Sequence, residues 1–194
     1  MQESELNQAD VSKSSKPVKQ SLLVISAIAP NRPGIANDIS DLIADCGCNI
    51  KESKMKMMGG TFSLVLMASG CWNAIAKLEH ILPKKACALG MTTMLKRTDD
   101  IGPRPNRLPY HVSIVALDSV GITREITAFF AQQDINIREM SCDTYVAPHS
   151  IVPITEIKLT VGIATDLSIA NIREEFDVFC RKLNLDATLE PITR

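Results

Sequence analysis

The sequence has no apolar run long enough to cross a bilayer. Its longest runs, such as Leu22 to Ala29, are strand-length, far short of the roughly 20 residues a spanning helix needs. No contact with a membrane is expected. The first residues, MQESELNQADVSKSSKPVKQ, lack the apolar stretch of a secretory signal, which points to the cytoplasm. An excess of one charge is also missing: 21 Lys and Arg meet 22 Asp and Glu, a net charge of -1. No overall field would hold the chain on a polyanion, so direct binding to nucleic acid is not expected.

Chemical motifs are equally scarce. Cys46, Cys48, Cys71, Cys87, Cys142 and Cys180 form neither a CxxC pair nor the Cys/His spacing of a zinc site, and reduced thiols that mostly pack are expected. There is no Walker loop, GxGxxG, GxSxG or HExxH. His80, His111 and His149 share no motif, Met55, Met57 and Met58 read as hairpin packing, and Arg104 and Arg107 read as a solvated connection. No basic recognition helix is present. These readings predict a protein that is not an enzyme and needs no metal or cofactor.

What the sequence does hold is a duplication. Shifted by 87 positions, the 27 residues from Ser26 lie without a gap over those from Ser113, and nine are identical: Ser26, Ala29, Gly34, Ile35, Ile39, Ala44, Asn49, Ile50 and Glu52. Chance would give roughly 6%. Further on the offset becomes 94, with Thr61 on Thr155 and Ile75 on Ile169, which implies seven extra residues near 147–153. The expected organisation is a disordered tail over 1–20, one domain over 21–97, a linker rich in proline over 98–109 and a second domain over 110–194.

Each copy reads β-α-β-β-α-β. In the first, a buried strand over 21–29 stops at Pro30. Apolar residues then recur at Ile35, Ile39, Leu42, Ile43 and Cys46 with helical spacing. Strands over 48–57 and 61–69 form a hairpin around Gly59-Gly60. A second helix from Trp72 is halted by Pro83, and 89–96 is the closing strand. In the second copy, strands over 110–117, 136–145, 154–163 and 185–191 alternate in the same order with helices over 122–133 and 167–183. The predicted fold class is α+β: two tandem ferredoxin-like domains with antiparallel sheets and helices on one face.

Positions that agree between the copies cluster at the turn into the first helix and at the start of the second strand. The turn is Asn31-Arg32-Pro33-Gly34-Ile35, matched by Asp118-Ser119-Val120-Gly121-Ile122; the strand starts are Asn49-Ile50 and Asn136-Ile137. A helix opening at glycine presents unpaired amides and a positive dipole end, a natural seat for a carboxylate. Asp118 suits an ammonium group, and an asparagine both donates and accepts. Equally, the glycines fit a tight turn alone and the asparagines a left-handed residue before a strand.

The runs ISAIAPNRPGIANDISDLIADCGCNI and GTFSLVLMASGCWNAIAKLEHILP, within a short two-copy chain, resemble the ACT domains of the glycine cleavage system transcriptional repressor family from residue 21 onward. The resemblance implies repression of the glycine cleavage operon through contact with a LysR-type activator protein, with glycine relieving the contact. It also implies a small amino acid held between two ACT copies by Asn31, Gly34, Ile35 and Asn49 on one side and Asp118, Gly121, Ile122 and Asn136 on the other. The sequence departs from the family at Asn31, where Asp is common, and at Ser119-Val120, in place of Arg-Pro. A homodimer formed by sheet extension is compatible with the near-zero charge. The alternative reading is a stand-alone ACT protein that binds and allosterically regulates an enzyme of amino acid metabolism.

Overall fold

The computed structural model describes residues 20–102, 106–146, 148 and 152–192. Most of the expected tail, Arg104 and His149 lie outside the described residues. The chain divides into two compact units near Ile101–Gly102. Both are ferredoxin-like, as predicted.

The N-terminal unit runs β1 (Ser21–Pro30), α1 (Ile35–Asp45), β2 (Asn49–Met58), β3 (Thr61–Gly70), α2 (Trp72–Ala88) and β4 (Thr92–Thr98). Its antiparallel sheet has the order β2-β3-β1-β4. Alternation in β1 sends Leu23, Ile25, Ala27 and Ala29 into one core with Ile35, Ile39 and Ile43 of α1 and Ile75, Leu78 and Leu82 of α2. Both helices therefore cover the same face of the sheet.

Pro83 does not end α2, contrary to the sequence reading. The helix continues through it to Ala88. Proline forfeits one backbone hydrogen bond, yet Leu78, Leu82 and Ala86, spaced four apart, are all fully buried and hold the chain helical. The turn through Gly90, at φ 75°, then delays β4 to Thr92.

The C-terminal unit runs β5 (Arg107–Leu117), α3 (Ile122–Gln132), β6 (Asn136–Val146), β7 (Pro153–Ala164), α4 (Ile169–Leu183) and β8 (Asp186–Pro191), with sheet order β6-β7-β5-β8. Its core is aromatic where the first is aliphatic: Phe129, Phe130, Phe176 and Phe179 meet with centroid separations of 4.8 to 6.5 Å. β5 starts inside the expected linker because Arg107 is tied down, its guanidinium donating to the carbonyls of Asp134 at 3.3 Å and Gly162 at 3.2 Å.

The strand register corrects the repeat. Ser26 opposes Val65 and its counterpart Ser113 opposes Lys158, so β3 and β7 are related by 93 positions, not 94. The hairpin gains six residues instead of seven, and Thr155 corresponds to Phe62. The bulge after Ile50 recurs after Ile137.

Candidate functional site

The two copies of the turn have the same backbone. Gly34 caps α1 at φ 86°, ψ -7°, and Gly121 caps α3 at φ 93°, ψ -2°, the left-handed region where a side chain is strained. No side chain caps either helix; the Ile35 and Ile122 amides donate to the Arg32 and Ser119 carbonyls at 3.4 Å, and the amides that follow them in the first turn have no side-chain cap. Ile35 and Ile122 point inward and are buried; they anchor the helix and leave the chemistry to the turn before it.

That chemistry differs between the units. In the N-terminal unit the Asn31 side-chain amide donates to Met57 Sδ at 3.1 Å, and its backbone N–H donates to the Gly60 carbonyl. Arg32 reaches over the turn to an ion pair with Asp38 of α1. In the C-terminal unit the Thr155 hydroxyl donates to a carboxylate oxygen of Asp118 at 2.7 Å and meets Thr144 Oγ1 at 3.0 Å. Thr155 is 1% exposed, so this donor is fixed and holds Asp118 in orientation. Thr144 and Thr155 occupy the places of Met57 and Phe62. A signal for Thr155 exists in the sequence, a lone hydroxyl on the face that Ile157, Leu159 and Val161 otherwise fill, but the one-residue error in the offset hid its partner.

A cleft of about 320 Å³ opens beside this turn in the C-terminal unit, lined among others by Leu117, Ser119, Val120, Glu125, Leu183 and Leu185.

The second cluster does not join the first within a unit. Asn49 opposes Ser69, which opposes Leu22 at the start of β1, whereas Asn31 follows Pro30 at its end. Asn136, Gly162, Pro109 and Asp118 repeat that relation. Eight strand residues separate the ends, about 26 Å. No single unit brings the turn and the asparagine together.

Other candidates resolve simply. Cys46, Cys48 and Cys180 are buried, while Cys71, Cys87 and Cys142 are exposed, so half the thiols do not pack. Burial pushes the Cys180 thiol up to about 11 and raises that of Cys48, with the neighbouring Cys46 and Cys71 adding to the latter; both are poor nucleophiles. Met55, Met57 and Met58 are exposed, not packed. Among the described residues, no group of three His, Cys, Asp or Glu is placed to hold a metal, and no helix is long and apolar enough to cross a membrane.

Comparison with known proteins agrees with this architecture. An ACT domain family model matches residues 21–96. The glycine cleavage system transcriptional repressor of Escherichia coli (strain K12) is 32% identical over 173 residues, covering 89% of this chain and 91% of that protein; the Shigella flexneri protein matches equally. A crystal structure provisionally assigned the same repressor name aligns with a TM-score of 0.69 at 29% identity, over 91% of this chain and 99% of that one. A Galdieria sulphuraria protein of unknown function aligns at 0.73 with 22% identity, over 90% and 100% of the two chains, a likeness of fold alone.

Proposed function

Because the chain belongs to the glycine cleavage system transcriptional repressor family, we propose that it represses the glycine cleavage operon by contact with a LysR-type activator protein, not with DNA, and that glycine releases that contact. A regulatory role follows from the kinship. The finer reading is supported above all by the two turns, which open α1 and α3 with one backbone geometry in both units.

A small zwitterion suits these turns physically. Its carboxylate meets the uncapped amides and the positive dipole end of the helix. Its ammonium group meets Asp118, whose orientation Thr155 fixes, through a charge-assisted hydrogen bond. Asn31, in the equivalent place, already spends its amide on Met57 and offers no charge, so the Gly121 turn is the stronger of the two. The net charge of -1 agrees with action through a protein partner in the cytoplasm.

The test is retention of a LysR-type regulator from lysate on the immobilised full chain. The reading expects the regulator to be retained without glycine and released as glycine is added. Retention of an enzyme of amino acid metabolism instead, or specific DNA binding by the purified chain, would overturn it.

A further inference from the structure

Each sheet has one face under its helices and one face without them, and the two uncovered faces carry opposite charge. On the N-terminal unit the face consists of rows running across the sheet: Lys54, Val65, Ser26, Met94; Lys56, Ser63, Ile28, Thr92; and Glu52, Met67, Val24, Lys96. Three lysines stand against one glutamate. Ile28, Val65 and Met94 are 50 to 71% exposed.

On the C-terminal unit one row reads Asp143, Glu156, Val115, Asp186, the next holds Lys158, and the row beyond it reads Glu139, Thr160, His111, Glu190. Five carboxylates stand against Lys158, which pairs with Glu156 at 2.9 Å, and against Arg107 and Arg138, whose side chains lie over Gly162 at the far end of the face, so the carboxylates remain in excess. The Lys158 ammonium is held above its ordinary range by that bond, with Asp143 and Tyr145 adding to it. Leu117 and Tyr145 are exposed at the end of the same face.

We propose that the basic, apolar sheet face of the N-terminal unit binds the acidic sheet face of the C-terminal unit in a second copy of this chain. One chain carries both signs, which is what a two-fold dimer requires: each patch meets its complement twice by symmetry. Apolar side chains lie amid the lysines of one face and at the end of the other, so the contact buries apolar area along with the charges. Each face measures about 19 by 30 Å from strand spacing and rise, near 550 Å². Two such contacts bury roughly 2,200 Å² in total, above the usual 1,600 Å² of a specific interface. This inference is independent of the ligand and of the activator.

Sedimentation velocity of the full chain tests it with two charge reversals, Lys54→Glu with Lys96→Glu, and Asp143→Lys with Asp186→Lys. The wild type should be a dimer whose dissociation constant rises roughly tenfold between low and high salt. Each reversed variant should be monomeric alone, and mixing the two should restore a heterodimer, a rescue that misfolding could not produce. A monomeric wild type, variants that still dimerise, or a mixture that stays monomeric would each overturn the proposal.

Discussion

The two units share a fold and a turn, yet hold it with different cores and furnish it with different chemistry. The N-terminal core is built from aliphatic and small residues around Leu23, Ile39 and Leu78, whereas the C-terminal core closes around phenylalanines. Gly34 and Gly121 differ by only 7° in φ. Beside them stand Asn31 with Met57 in one unit and Asp118 with Thr144 and Thr155 in the other. The backbone of an ACT module is thus fixed by apolar period and glycine, while the chemistry beside its turn is set by a few side chains that change without disturbing it.

The largest expected effect breaks the cores apart. Phe130→Ala removes a fully buried ring 5.3 Å from Phe129 and 5.9 Å from Phe176, and should cost about 3–5 kcal/mol. Hydrogen exchange should show the loss in the amides of the C-terminal unit. Leu78→Ala should do the same in the N-terminal unit at about 2–5 kcal/mol.

The glycines should respond alike. Gly34→Ala and Gly121→Ala meet no crowding, with the nearest atoms at 3.9 and 3.8 Å. Each therefore costs the left-handed strain alone, about 1–2 kcal/mol. Urea titration should give the two variants equal losses, and an unequal pair would show that one turn is held by something besides its backbone.

The hydroxyl chain separates the units more finely. Thr155→Val keeps the shape but takes the donor from Asp118, for about 1 kcal/mol. Met57→Ala at an exposed place in the other unit should stay within about 0.5 kcal/mol. Smallest of all is the Glu79–Arg97 pair at 2.7 Å, in which the hydrogen bond from Arg97 holds the Glu79 carboxyl below its usual range. A depressed carboxylate stabilises above its unfolded value and loses that stabilisation as pH falls through its folded one. Glu79→Gln should therefore melt slightly below wild type at neutral pH and match it in acid.

The sequence carried most of the fold because the duplication checked each element twice. The apolar period of Ile35, Ile39 and Ile43 and the Gly59-Gly60 turn name their elements by local chemistry. What it missed depended on tertiary packing: α2 passes Pro83 because Ala86 is buried beyond it, and β5 begins at Arg107 because distant carbonyls hold that side chain. Of the candidate site, the glycine turns were legible as repeated residues. Thr155 was not, since its pairing with Asp118 spans 37 positions and needs the strand register. Nor was the separation of Asn49 from Asn31, which only the strand pairing sets.

The central claim is that this repressor-family chain senses a small amino acid at its glycine turns, and thermal unfolding against single amino acids tests it most directly. Glycine at 100 times its dissociation constant should stabilise by about 2.7 kcal/mol, a shift of several degrees lost in Asp118→Ala. No shift with glycine or any other amino acid would contradict the claim and leave a module that receives its signal through its protein partner.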